Sequence, residues 1–109
     1  MSTFKHITLA LEQLPNSQGD ICNPGAGITY LIHNITLHNT NSGVENVKLW
    51  KHDGSDAYQL LYASLSVNET LIICFGNDGL VLDGDHKLQG ATNTADKVTY
   101  DISGTEITL

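Results

Sequence analysis

The sequence predicts an all-β chain, a single antiparallel β-sandwich of jelly-roll-like or Ig-like type with about eight strands, formed by residues 1–109 as one domain. Three observations predict it. Short blocks rich in Val, Ile, Leu, Thr and Tyr recur along the chain, and clusters of Gly, Asn, Asp and Ser separate them at spacings suited to a sandwich or barrel. No stretch sustains the repeat of a long amphipathic helix. With 109 residues and 40% apolar side chains, the chain is large enough to bury one core and too apolar for a disordered segment.

Taken in order, the first block, Phe4 to Leu11, alternates Ile7, Leu9 and Leu11 against His6, Thr8 and Ala10, until Pro15-Asn16-Ser17-Gln18-Gly19-Asp20 breaks it. Ile21-Cys22 reads as a short strand. Ile28 to His38 is the strongest strand, and strict alternation puts Leu31, His33, Ile35 and Leu37 on an inward face. Asn39-Thr40-Asn41-Ser42-Gly43 turns the chain into Val44 to Lys51, where Val47 and Leu49 share a face. Tyr58 to Leu65 fits a strand through Leu61, Ala63 and Leu65, although Leu61 and Leu65 also fit one helical turn.

Glu69 to Phe75 is nearly all apolar, which predicts a central strand covered on both sides. Asp83-Gly84-Asp85 predicts a hairpin joining Leu80-Val81-Leu82 to His86 through Ala91. Lys97 to Ile102 alternates Val98, Tyr100 and Ile102 against Thr99 and Asp101; Ser103-Gly104 predicts a tight turn, and Thr105 to Leu109 a last short strand. The expected core is Leu31, Ile35, Leu37, Val47, Leu49, Ile73, Val98, Tyr100 and Ile102.

Charge narrows the function. The chain carries −7 with five lysines and no arginine, so it lacks the clustered cations that grip phosphate, and neither nucleic acid nor an anionic membrane is an expected partner. Its longest apolar run, Leu71 to Phe75, is far short of the roughly 20 residues that span a bilayer, and no signal-peptide pattern opens the sequence. Cys22 and Cys74 have neither CxxC nor zinc-finger spacing; one disulfide is open to them, but two free cysteines filling core space is the favoured reading.

The candidates for chemistry are few. His33 has no second histidine at metal-binding spacing and reads as a hydrogen-bonded structural residue. Asp78, Asp83 and Asp85 cluster as in oxygen-rich calcium loops, yet their spacing does not match a twelve-residue loop and suits ordinary turns. No Gly-x-Ser-x-Gly elbow is present. The expectation is therefore no enzyme, no catalytic residue, no cofactor and no metal. Trp50, Tyr58 and Tyr62 are the candidate interface residues, because Trp and Tyr offer large contact area with a polar tip; the same aromatics would serve a small carbohydrate-binding module as stacking faces.

Asn39-Thr40 follows the long apolar strand, Asn68-Glu69-Thr70-Leu71 opens another, Gly79 to Asp85 reads G-L-V-L-D-G-D, and Ile102 to Ile107 reads I-S-G-x-E-I. In this succession the sequence resembles small β-sandwich virion structural proteins of tailed bacteriophages, of the capsid decoration (cement) type. The resemblance implies a homo-oligomer, a trimer, made in the host cytoplasm, which binds the major capsid protein on the outside of a phage head and stabilises it. A tail, neck or fibre component shares the same sequence character. No contact residues carry over.

Overall fold

The apolar blocks form strands in the order β1 (Thr3–Gln13), β2 (Gly19–Cys22), β3 (Ile28–Asn39), β4 (Glu45–His52), β5 (Ala57–Leu65), β6 (Thr70–Cys74), β7 (Leu80–Leu82), β8 (Lys87–Ala91) and β9 (Val98–Thr108). The computed structural model describes residues 3–108, and no helix occurs among them. One antiparallel sheet runs β1-β9-β3-β6, with β7 also on β3; the other runs β2-β8-β4-β5. β6 pairs with Asn34–His38 and β7 with Tyr30–Ile32, so the two are pieces of one interrupted edge strand. Counted as one, they leave eight strands in two facing sheets, with the first strand beside the last and the third beside the sixth. This is the double Greek key of a jelly roll.

Side chains from both inner faces close the core. Ile32, Ile35, Leu37, Leu82, Val98, Tyr100 and Ile102 come from the first sheet, and Ile21, Cys22, Val47, Leu49, Leu65 and Leu88 from the second. Leu14, in the β1–β2 connection, is fully buried beneath Gly90, where a β-carbon would press on Leu14, Ile21 and Leu49. Seven of the nine expected core residues are buried, and Ile73 packs half-buried against them. Leu31 is the exception, and its displacement has a definite cause.

Strict alternation fails at His33. The β3–β9 register steps from Ile32↔Gly104 to Asn34↔Ser103, so His33 is the extra residue of a bulge. One inserted residue reverses the faces on its N-terminal side. Ile32 turns into the core, while Leu31 and His33, both expected inward, turn to the outer face. The β1–β9 register also skips Leu9, and there Leu9 and Ala10 both pack inward while Leu11 points out. Ser103-Gly104 is therefore not a turn: β9 runs straight through it, flanked by a bulge on either side. Gly104 is required because a β-carbon there would run into the Leu31 carbonyl and Ile32.

Three further expectations are corrected by topology. Glu69–Phe75 yields an edge strand, and Ile72 is 60% exposed on it. Leu80–Leu82 and Lys87–Ala91 lie in opposite sheets, so Asp83-Gly84-Asp85 carries the chain across the sandwich and makes no hairpin. Cys74 is exposed on β6 and only Cys22 fills the core; both thiols are free. Leu109, the end of the expected last strand, lies outside the described residues.

One end of the sandwich is sealed by polar groups. Asn39, fully buried, shares the two N–H groups of Nδ2 among the carbonyls of Gly43 at 2.9 Å, Leu65 at 3.0 Å and Ser66 at 3.2 Å, and its Oδ1 accepts from the Asn41 amide at 2.8 Å. Beside it, Glu45 is 2% exposed and accepts from Asn41 Nδ2, Thr92 Oγ1 and the amide and hydroxyl of Thr94, all at 2.8–3.0 Å. Burial works to raise the pKa of this carboxyl, and the hydrogen bonds from Asn41, Thr94 and Thr92 outweigh it, leaving it below its ordinary 4.5.

Two expectations follow. Gly104→Ala should destabilise the chain by about 1–3 kcal/mol through backbone overpacking, a loss comparable to Ile35→Ala at about 2–5 kcal/mol, both read as a lower urea midpoint with unchanged slope. A carboxyl with a lowered folded pKa stabilises above its unfolded pKa, and that contribution is lost as pH falls through the folded value. Glu45→Gln should therefore cost about 1–3 kcal/mol at neutral pH and flatten the loss of stability below the ordinary 4.5, in denaturation series run across pH.

Candidate interaction surface

The outer face of the second sheet carries the aromatic candidates. Register places Trp50 between Gln59 of β5 and Gln89 of β8, and Lys48 between Tyr62 and Ala91. Residues two apart on β4 share a face, so Trp50 and Tyr62 lie on the same outer surface. The Lys48 ammonium sits 5.6 Å from the centre of the Tyr62 ring, within cation–π range. Tyr58 pairs with Lys51, on the opposite face of that sheet. The structure thus brings Trp50 and Tyr62 together and leaves Tyr58 apart, exposed near the end of the sandwich.

Trp50 is half-buried and walls a groove of about 340 Å³ with Asn16, Gln18, Asn46, Lys48 and Asn93. The groove's far side is stiffened by a hydrogen-bonded chain. Gln18 Nε2 donates to Gln89 Oε1 at 2.6 Å, Gln89 Nε2 donates to Asp20 Oδ1 at 2.9 Å, and Lys87 Nζ lies 3.2 Å from Asp20 Oδ2. The Gln89 hydrogen bond, with help from Lys87, holds the Asp20 carboxyl below its ordinary range. The bend between Thr8 and Ala10 and the bulge at His33 open a second hollow, of about 410 Å³, on the outer face of the first sheet.

There Thr105 Oγ1 lies 2.8 Å from His6 Nδ1 and 3.0 Å from His33 Nε2. A hydroxyl has one proton, so it donates to one ring and accepts from an N–H of the other. The trio braces β1, β9 and β3 across the bend, and His33 has the hydrogen-bonded structural role expected of it.

Among the described residues no three His, Cys, Asp or Glu side chains converge to hold a metal ion. Asp83 Oδ1 lies 3.2 Å from His86 Nδ1, and Asp85 lines a groove of about 580 Å³ with Asn23, Gly25, Gly54 and Lys87. The Cys22 thiol is pushed up to about 12 by burial, which makes it a poor nucleophile.

The features that the sequence reading missed are the sheet edges. β1, with 11 residues, and β5, with 9, are both edge strands, and each exposes apolar side chains: Phe4, Ile7 and Leu11 on β1, and Tyr58, Leu60 and Tyr62 on β5. Alternation marks a strand without saying whether it has one neighbour or two.

No family model matches the chain, and no curated protein sequence does. Solved structures do share its architecture. The coat protein of Tobacco streak virus aligns with a TM-score of 0.54 at 11% identity, over 99% of this chain and 86% of that one. A subunit of the disulfide-linked pili that form Bacillus endospore appendages aligns with a TM-score of 0.53 at 8% identity, over 100% of this chain and 88% of that one. At such identities the likeness is one of fold.

Trp50 is the only tryptophan, so its emission reads the groove directly. Acrylamide should quench it in the free chain to a degree between that of a buried and a free indole, and any ligand or partner seated there should protect it. Trp50→Ala should remove the signal while leaving the far-UV β spectrum intact.

Proposed function

We propose that the chain is a structural subunit of a virion, which works by repeated surface contact and carries out no chemistry of its own. The observation that carries this reading is the pair of long sheet edges, β1 and β5, each of which leaves several apolar side chains uncovered. Such edges are usually short, charged or interrupted by proline, because open strands recruit other strands. Left open, they suit a subunit whose neighbours cover them.

The fold likeness supports the reading from a second side, since a viral coat protein and a pilus subunit both act as repeated building blocks. The finer form of the proposal comes from the sequence resemblance: a decoration protein that binds the major capsid protein on the outside of a phage head. Bound only to the assembled lattice, it would add its binding free energy to the assembled state, and many weak contacts around a symmetric shell would sum to firm attachment.

A carbohydrate-binding module is the second reading, favoured by the indole of Trp50 beside the amides of Asn16, Gln18, Asn46 and Asn93. Glycan-array hits that disappear in Trp50→Ala would support it over the first.

Mass spectrometry of purified virions, followed by electron microscopy to locate the chain, tests the proposal. The chain is expected in the particle at a copy number that follows shell symmetry. Its absence from the particle would overturn the virion reading, and a position in the tail or neck would overturn the decoration assignment alone.

A further inference from the structure

We propose that β1 pairs antiparallel with the β1 of a second copy about a dyad at Thr8, joining the two first sheets into one continuous sheet. The inference rests on the strand itself and stands apart from the virion reading.

β1 is bonded to β9 along one edge only, and among the described residues its other edge has no strand beside it. It carries no proline, and Phe4, Ile7 and Leu11 on it are 63%, 41% and 60% exposed. Its only charged side chains are Lys5 and Glu12, so the edge is locally neutral on a chain of net charge −7. A second copy can therefore approach this edge without the repulsion that the rest of the surface imposes.

Symmetry then fixes the register. When identical strands pair antiparallel, the dyad stands perpendicular to the sheet and passes through one residue facing its own copy, and directly opposed side chains share a face. The bulge at Leu9 decides which residues can satisfy this. Because Leu9 and Ala10 both turn inward, Lys5 and Ile7 share the inner face with Ala10 and Glu12, while Phe4, His6 and Thr8 share the outer face with Leu11 and Gln13.

With the dyad at Thr8, Ile7 faces the partner's Ala10, His6 faces the partner's Leu11, and Lys5 faces the partner's Glu12, each pair on one face. The exposed Leu11 and Ile7 gain cover, and two opposite-charge pairs form, one on each side of the axis. A dyad one step away, at Ile7 or at Ala10, sets both charges opposite uncharged residues. Within its own chain Lys5 stands across from Glu106 on β9. In the dimer it would lie between two carboxylates, a row of alternating charge. β5 carries no charged residue and so offers no such register.

An antiparallel pair of identical strands generates a two-fold axis, in place of the three-fold that the sequence resemblance implies. Sedimentation equilibrium of the full chain should give twice the 11.8 kDa chain mass. Lys5→Glu or Glu12→Lys alone should weaken the dimer about tenfold, since each places like charges together at both symmetric contacts. Combining the two reversals restores opposite charges and should recover the wild-type dissociation constant. Circular dichroism of each variant separates loss of pairing from loss of fold. A monomer or trimer for the wild-type chain would overturn the proposal, as would a dimer indifferent to both single reversals or one that the double reversal does not rescue.

Discussion

The extra residue at His33 governs the first sheet. By inserting one residue into β3 opposite Ser103 and Gly104, it reverses the faces of the N-terminal half of the strand, so that Ile32 joins Ile35 and Leu37 in the core and Leu31 turns outward. The disturbance spreads to both sides. On one side β9 approaches so closely that only glycine fits at position 104; on the other, the edge strand divides into β6 and β7, with Gly79 tucked against the Ile32 carbonyl and the Phe75 amide bonded to the His33 carbonyl at 3.0 Å. The matching bulge at Leu9 lets β1 follow the same bend.

The bend separates parts of the sheet with different work. Beyond it toward one end, Val98, Tyr100 and Ile102 face the second sheet and the sandwich is closed by the buried polar knot of Asn39 and Glu45. Toward the other, the beginning of β1 runs beside the end of β9, its side chains exposed on both faces. Thr105 and its two histidines tie these strands to β3, so the exposed arm is held by hydrogen bonds between strands where apolar burial is slight.

The surface was only partly legible. Trp50, Tyr58 and Tyr62 stand out as aromatics in a sequence with few of them, and all three reach the surface in some degree, yet only Trp50 and Tyr62 share a face. A bulge at Leu60, invisible in a run of Leu, Gln and Tyr, shifts the register between β4 and β5 and accompanies the divergence of Tyr58. The buried carboxylate of Glu45 was likewise unmarked, because beside the nearby Asn41 its donors are Thr92 and Thr94, on a loop distant in sequence.

Strand formation is a local matter, and the sequence by itself determined it. Alternation over Ile28–Asn39, Glu45–His52 and Val98–Ile102, broken by Asn, Asp and Gly, specifies extended chain and most of the apolar side chains that must be hidden. Neighbourhood is not local. That β6 lies at an edge, that Leu80–Leu82 and Lys87–Ala91 part to opposite sheets, and that Ser103-Gly104 stays extended were decided only when strands far apart in sequence met. The physical reason is that backbone hydrogen bonds are the same for every residue, so side-chain pattern chooses a face while the partner strand is chosen by how all the faces close together. An extra residue in one strand then has meaning only against the strand it fails to match.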